Sequence, residues 1–251
     1  MSINIFEITI LGLLIGSFLN VVAIRVPAKK SISFPPSHCV HCSHRLSALD
    51  LIPVLSYVGL RGRCRYCKQR ISIQYPIVEA VTALLFVGLF WHFQPSWETI
   101  AALWLAAILV AITVTDIRYM LIPDAIILVG VIGAVASRLF VHPLPWWDYG
   151  LAALAGSGFL YLVAVVSKGG MGGGDIKLYL FIGLILGLKL TLLSIFAASL
   201  LGTIFGAARI LSAKKWERKQ AVPFGPFIAI GTMLSFVWGE SAIHWYMSML
   251  S

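Results

Sequence analysis

Two aspartates in a very hydrophobic chain are the first residues whose chemistry needs an explanation. Asp175 ends a glycine-rich stretch at residues 168–174, and Asp116 ends an apolar segment in the sequence Val-Thr-Asp-Ile-Arg. A carboxylate beside a membrane-spanning segment is costly unless it is paired, hydrated or functional. Two close carboxylates do not both ionise easily, so one keeps a proton while the other stays charged. Such a pair can deprotonate water for attack on an amide and protonate the carbonyl oxygen.

A plainer interpretation of these residues exists. The glycines can form a flexible loop with a solvated aspartate, and Arg118 and Lys177 can neutralise the nearby acids. Each basic residue lies two positions from its aspartate, however, so the side chains do not share a helix face. Glycine also lets the main chain approach a partner closely. Spacing in the sequence leaves open whether Asp116 and Asp175 touch.

The four cysteines predict a metal site. They form two C-x2-C pairs separated by 21 residues, Cys39 and Cys42, then Cys64 and Cys67. This arrangement matches zinc ribbons and knuckles, with a separation one residue longer than their usual range. Four thiolates complete a closed tetrahedral shell, so we expect a structural rather than a catalytic zinc ion. The alternatives are two disulfides or four free thiols, and a reducing cytoplasmic face disfavours disulfides. Three histidines are possible competing ligands that we expect to be bystanders: His38, His41 and His44.

The elements that must position these residues are predicted to be membrane-spanning helices. The chain has 251 residues, of which 59% are hydrophobic and 12% are charged. Apolar runs of roughly 17–25 residues are typical of bilayer-spanning helices, whose backbone satisfies its own hydrogen bonds. We predict an all-α polytopic membrane protein with about eight spans, near residues 3–24, 76–94, 98–115, 125–141, 149–166, 176–188, 190–211 and 225–248. The first span carries Glu7 and lacks a basic leader, so we expect it to be retained rather than cleaved as a signal peptide.

The basic residues predict the orientation of the spans. With eight spans, 17 of the 19 Lys and Arg residues fall on one face, and only Arg138 and Lys189 fall on the other. The positive-inside rule places the basic face, with both aspartates, in the cytoplasm. The net charge of +9 therefore indicates contact with membrane lipid rather than with nucleic acid.

These patterns divide the chain into three predicted parts. Residues 1–24 form the first transmembrane helix, residues 25–75 form a cytoplasmic four-cysteine loop, and residues 76–251 form the transmembrane core that carries the aspartates. A loop of about fifty residues buries little apolar surface, so we expect the metal to supply much of its folding free energy.

Several blocks, in this order, resemble the bacterial type IV prepilin peptidases, a class of GxGD-type membrane aspartic proteases. They are Gly16-Ser17-Phe18-Leu19-Asn20, Leu51-Ile52-Pro53-Val54-Leu55-Ser56-Tyr57, Arg61-Gly62-Arg63-Cys64, Tyr75-Pro76-Ile77-Val78-Glu79, Asp116 with Ile122-Pro123-Asp124, Gly172-Gly173-Gly174-Asp175 and Pro223-Phe224-Gly225-Pro226. The resemblance implies that Asp116 and Asp175 are the catalytic pair. It also implies that Gly172 and Gly174 shape the loop and admit the substrate backbone. We expect Asp124 to be a helix N-cap and Glu79 to be a helix-start charge.

The resemblance also implies a function. Members of the family cleave the leader of prepilins and pseudopilins at the cytoplasmic face of the bacterial membrane. Many then methylate the new N-terminus with S-adenosylmethionine, an activity associated with the four-cysteine loop. The residues that bind S-adenosylmethionine and the oligomeric state stay unassigned. The rival hypotheses are an ion-coupled transporter, because such carriers also use broken helices with intramembrane carboxylates, and a zinc-dependent membrane scaffold.

Overall fold

The structure is a computed structural model that describes residues 4–168, 170–212 and 222–250. This part of the chain is almost entirely helical, without strands apart from two isolated bridges. Its α-helices are α1 (Ile5–Arg25), α2 (Leu55–Gly59), α3 (Gln74–Phe93), α4 (Trp97–Tyr119), α5 (Asp124–Phe140), α6 (Trp146–Val166), α7 (Gly173–Leu186), α8 (Leu188–Ser212) and α9 (Gly225–Leu250), with a 3₁₀ turn at Ala48–Leu51. They divide into two compact units, Met1–Thr99 and Ile100–Ser251.

The eight longer helices correspond one to one with the eight predicted spans. Six of them are long and apolar enough to cross a bilayer: α1, α3, α4, α6, α8 and α9. The other two, α5 and α7, have 17 and 14 residues. The predicted all-α polytopic membrane fold is confirmed, although the two short helices make the number of full spans approximate.

The first unit is built on close packing between α1 and α3. A Cβ added to Gly12 would lie 2.6 Å from the Cα of Ala83, and one added to Gly16 would lie 2.7 Å from the Cα of Glu79. The two backbones therefore touch at these positions, as small residues permit between membrane helices. Gly16 therefore acts as a small packing residue between α1 and α3.

The second unit is organised around α7, which is buried along most of its length. Its fully buried side chains include Leu178, Tyr179, Phe181 and Ile182. A Cβ added to Gly183 would lie 2.4 Å from the backbone nitrogen of Ala153, so α6 lies directly against α7. Helices α5 and α8 also contact α7. A short central helix thus presents Asp175 from the middle of the unit.

The break between α7 and α8 lies at Gly187, whose φ of +75° suits glycine. Around it, helix-end groups find side-chain partners. The Arg138 guanidinium donates to the carbonyl of Ile185 at 2.5 and 3.2 Å, and the Asp148 carboxylate accepts from the N–H of Leu188 at 2.9 Å. The predicted sixth and seventh spans are therefore separate helices.

The structure does not test two of the sequence predictions in full. Four of the basic residues used to predict the orientation of the spans lie outside the described residues: Lys214, Lys215, Arg218 and Lys219. The two compact units divide after Thr99, whereas the predicted functional division falls at residue 76. That functional division stays a prediction.

Candidate active site and metal centre

Asp116 lies one turn before the end of α4, as the sequence predicts. The residue is only 7% exposed. One carboxylate oxygen, Oδ2, accepts a hydrogen bond from the backbone N–H of Gly225 at 2.7 Å. Gly225 is the first residue of α9. The carboxylate therefore sits at a helix N-terminus, where free N–H groups and the helix dipole favour negative charge.

Asp175 is the third residue of α7 and is 9% exposed. The predicted substrate-contact glycines flank it. Gly172 is the N-cap of α7, and a Cβ added there would lie 3.4 Å from the carboxylate oxygen Oδ2 of Asp175. A Cβ added to Gly174 would lie 2.8 Å from the Cβ of Ile122. At Gly174 the close approach is thus made by Ile122, and substrate contact at either glycine stays a prediction.

Two contacts join the segment after Asp116 to the first turn of α7, which carries Asp175. Ile122 packs against Gly174, and the ammonium group of Lys177 lies 2.8 Å from both carboxylate oxygens of Asp124. The expectation that Asp124 caps α5 is wrong: Pro123 is the N-cap, and Asp124 in the first turn makes no capping bond. Its carboxylate is engaged by Lys177 from α7 instead.

The structure brings the two predicted catalytic carboxylates near each other, since Asp116 and Asp175 interact electrostatically. Within the described part of the chain, neither forms an ion pair with Lys or Arg. Lys177, which the alternative interpretation pairs with Asp175, binds Asp124 instead. Two buried carboxylates without a cation are the arrangement in which one proton is shared by the pair.

The cysteine loop contains two matching turns. An isolated bridge joins His38 to Arg45 around the first C-x2-C pair, and another joins Arg63 to Arg70 around the second. Inside the first turn, the N–H of Cys39 donates to the carbonyl of His44. Inside the second, the N–H of Cys64 donates to Gln69, at 3.0 and 2.8 Å respectively. Each turn closes through a residue with positive φ, Ser43 and Lys68. We call these turns the two knuckles.

The knuckles bring all four predicted cysteine ligands together. Their sulfur atoms lie within 4.8 Å of one another, and the Sγ atoms of Cys39 and Cys67 are 3.8 Å apart. Bonds of about 2.3 Å in a tetrahedral zinc shell require sulfur–sulfur edges of about 3.8 Å. None of the four cysteines forms a disulfide. The donor set and its spacing therefore fit a closed S₄ metal site.

The sulfurs differ in their readiness to ionise. Burial opposes ionisation of Cys39, but the backbone N–H groups of Cys42 and His41 outweigh it and lower the pKa of the thiol to about 6. For Cys67, the N–H of Gln69 favours the thiolate, but burial and the other sulfurs raise the pKa to about 11. Crowded thiols of this kind ionise together when a divalent cation binds them.

Residues around the knuckles fix their relative position. The Asp50 carboxylate accepts from the guanidinium Nε of Arg65 at 2.6 Å and from the hydroxyl of Tyr66 at 3.3 Å. The hydrogen bond from Arg65 lowers the pKa of Asp50 to about 2. The ring of His44 stacks on Tyr66 with centroids 3.6 Å apart, so this histidine packs between the knuckles rather than joining the sulfur cluster.

Comparison with known proteins gives the family of the chain. The sequence model of the bacterial peptidase A24 N-terminal domain matches residues 10–93, and that of the type IV leader peptidase family matches residues 103–207. The prepilin leader peptidase/N-methyltransferase of Bacillus subtilis (strain 168) is 40% identical over 241 residues, which cover 96% of each chain. The protein of the same name from Aeromonas salmonicida (strain A449) is 35% identical, covering 95% of this chain and 92% of its own.

This chain belongs to the type IV leader peptidase family. It is therefore an enzyme, a multi-pass membrane peptidase, and the predicted resemblance is confirmed. Membership of the family does not favour the transporter alternative. The cysteines lie within the first match and both aspartates lie within the second. No solved structure matches the chain significantly.

Sequence reasoning missed two features of these sites. The first is the hydrogen bond from Gly225 to Asp116, which joins residues 109 positions apart; Gly225 lies beyond the end of the second family match at residue 207. The only sequence signal for a role of Gly225 was its place in the Pro223-Phe224-Gly225-Pro226 block. Glu79, expected to be a helix-start charge, is buried and accepts a hydrogen bond from the N–H of Val54 at 2.7 Å.

Proposed function

We propose that this enzyme removes the leader peptide of type IV prepilins and pseudopilins, with Asp116 and Asp175 as its catalytic dyad. The observation that carries the proposal is the pair of buried, interacting carboxylates without a cationic partner in the described residues. Each lies within about one turn of the end of its helix. The basic face of the protein supports a cytoplasmic location for the reaction.

The dyad acts as a general base and a general acid. The ionised carboxylate takes a proton from water, and the resulting hydroxide adds to the carbonyl carbon of the scissile amide. The protonated carboxyl gives its proton to the carbonyl oxygen. Collapse of the tetrahedral intermediate breaks the C–N bond, and the proton taken from water passes to the leaving nitrogen. No covalent bond forms between substrate and enzyme.

The surroundings of the dyad suit these roles. The Gly225 N–H holds one oxygen of Asp116, which fixes the direction of that carboxylate. Gly172 and Gly174 leave the backbone before Asp175 without side chains, and we assign this stretch to contact with the extended substrate backbone. The family resemblance implies a substrate with a short basic leader before a hydrophobic helix. The prepilin is therefore held chiefly by that helix, since a basic protein face does not attract a basic leader.

The knuckles have a separate role in this proposal. Cys39, Cys42, Cys64 and Cys67 would hold one structural zinc ion, which joins the two knuckles and leaves no open coordination position. We assign the loop to a second reaction, methylation of the newly exposed N-terminus with S-adenosylmethionine as methyl donor. The relatives that carry both activities in their names support this assignment.

The dyad is tested by cleavage of a prepilin with purified protein in detergent. We expect Asp116→Asn and Asp175→Asn each to lower the rate of cleavage at least about 1,000-fold, because each removes a proton-transfer group. Glu240→Gln is the matched control, since it removes an exposed carboxylate that pairs with Lys189. Normal cleavage by either aspartate variant would exclude the dyad.

The metal is tested by elemental analysis. The wild-type protein should contain about one zinc ion per chain, and Cys64→Ser should lose it. Because the cysteine loop lies in the first unit, we expect this variant to lose methylation and keep leader cleavage. A zinc-free wild-type protein that methylates normally contradicts the assignment.

A further inference from the structure

A third buried carboxylate, outside the proposed dyad, lies in the first unit. Glu79 is the sixth residue of α3 and is 7% exposed. Its Oε2 atom accepts from the N–H of Val54, which belongs to the cysteine loop, and the Ser17 hydroxyl from α1 donates to the same carboxylate. No Lys or Arg of the described residues pairs with it. A buried carboxylate with neutral partners alone is costly inside a membrane protein.

Asn20 adds an unpaired acceptor near Glu79. It is 1% exposed, and its amide nitrogen donates to the carbonyls of Gly16 at 3.3 Å and Tyr75 at 3.2 Å. Its amide oxygen has no hydrogen-bond partner. Gly16 touches the backbone of Glu79, and Tyr75 lies one turn before it on α3. The orphaned oxygen and the carboxylate therefore lie on the same α1–α3 interface, about one turn apart.

The chemistry of this cluster selects its ligand. The unpaired group is an acceptor, and the neighbouring carboxylate carries a negative charge that no Lys or Arg of the described residues balances, so the complementary ligand is a cation with several N–H donors. One carboxylate and one amide oxygen are too few ligands for a divalent metal site. An anion is excluded by charge. A primary ammonium group offers three N–H donors and a positive charge, which are the chemical complement of these two acceptors.

We propose that Glu79 and Asn20 bind the free α-amino group of the processed substrate and that Glu79 takes its proton before methyl transfer. This inference rests on the proposed N-methylation. The ammonium gives one proton to the Glu79 carboxylate, and the neutral nitrogen then attacks the methyl group of S-adenosylmethionine. The N–C bond forms as the S–CH₃ bond breaks, leaving a sulfide and a secondary ammonium product. The proton on Glu79 then returns to water.

The position of Glu79 suits a substrate that stays in the membrane. The residue lies five positions after the start of α3, which is about 7.5 Å along the helix. An N-terminus at the end of a hydrophobic helix can reach this depth without leaving the bilayer. The Val54 N–H also ties the carboxylate to the cysteine loop, to which the methylation is assigned.

Glu79→Gln separates charge from structure. Glutamine retains an oxygen that can accept from Val54, so the tie to the loop is kept while the negative charge is lost. We expect kcat/KM for methylation to fall about 100-fold or more, with the KM of S-adenosylmethionine unchanged. Leader cleavage and zinc content should stay at wild-type values. Thr82→Val is the control, because Thr82 is a buried residue of the same helix whose hydroxyl donates to the carbonyl of Val78.

A binding measurement tests the site without catalysis. A peptide of the mature pilin N-terminus should bind wild-type protein about tenfold tighter with a free amine than with an acetylated one. Both Glu79→Gln and Asn20→Ala should remove this preference. A retained preference in Glu79→Gln overturns the inference, as does an equal loss of cleavage and methylation in that variant. If wild-type protein binds the free amine preferentially but never methylates it, the proposed second reaction fails and the amine site stands.

Discussion

At the scale of single residues, the proposed dyad depends on a glycine far away in the sequence. Gly225 lends its N–H to Asp116, and a Cβ at this position would lie 2.9 Å from the same carboxylate oxygen. Only a residue without a side chain brings the N-terminus of α9 this near to the carboxylate. The Pro223-Phe224-Gly225-Pro226 block therefore has a physical role: the N–H of its glycine holds the Asp116 carboxylate.

We predict that Gly225→Ala lowers the kcat of leader cleavage about 100-fold with little change in KM, because the added methyl group displaces the Asp116 carboxylate. The measurement is steady-state cleavage of a prepilin in detergent. Gly158→Ala is the control, since a Cβ at Gly158 meets nothing within 4 Å. Equal activity of the two variants would contradict the prediction, because cleavage would then not depend on the position of the Asp116 carboxylate that Gly225 sets.

Residue types and spacing predicted much of the site. The cost of carboxylates near a membrane made Asp116 and Asp175 candidates, and the family resemblance selected them as the pair. The C-x2-C pairs identified the four sulfurs that the structure brings together. The bond from Gly225 and the burial of Glu79 could not be predicted, because both depend on how helices distant in sequence approach one another. Asp124 was misassigned for the same reason: its partner, Lys177, belongs to another helix.

At the scale of elements, the break between α7 and α8 is held by side chains from two other helices. Arg138 of α5 donates two hydrogen bonds to the carbonyl of Ile185 at the end of α7, and its guanidinium lies over the ring of Tyr149 at 5.2 Å. Arg138 is 4% exposed. The break sets where α7 ends and therefore where its first turn presents Asp175.

We predict that Arg138→Met destabilises the protein by about 2–3 kcal/mol, because it leaves buried carbonyl groups without donors. Thermal unfolding in detergent measures the change. Lys189→Met is the control: Lys189 is the other basic residue predicted on the outer face, and its ion pair with Glu240 is exposed. We expect that control to cost about 0.5 kcal/mol or less. A similar loss in both variants would assign no special role to the buried arginine.

The helices themselves followed from apolar runs, which is why all eight were predicted in order. The break at Gly187 was harder to locate, because glycine, leucine and lysine at residues 187–190 allow several helix ends. The knuckles had a visible sequence signal: the second cysteine pair repeats the first at an offset of 25 residues. Their common hydrogen-bond pattern required the structure.

At the scale of the whole molecule, the two compact units separate two kinds of polar chemistry. The first holds the sulfur cluster, Glu79 and Asn20, and the second holds the two aspartates. The two family matches follow the same division, at residues 10–93 and 103–207. We therefore expect variants of one site to leave the chemistry of the other largely intact.

The short length of helix α5 makes the second unit sensitive to the thickness of the bilayer. Its 17 residues extend about 25 Å, against about 30 Å of hydrocarbon in a typical bilayer. It exposes Leu128, Ile132 and Leu139, and its first residue is the partner of Lys177 beside Asp175. A helix this short is matched by local thinning of the bilayer or by flanking side chains that extend to the interface, and either costs free energy.

We predict that leader cleavage in nanodiscs is fastest in lipids of short acyl chain and slows several-fold as the chains lengthen, because hydrophobic mismatch costs free energy for every ångström. Zinc content should not vary across the series, which serves as the control for folding. A cleavage rate that does not change with acyl-chain length would contradict a dependence of the active site on bilayer thickness. If it holds, a bacterium that lengthens its fatty acids also slows the maturation of its pilins, so membrane composition becomes a regulator of surface assembly.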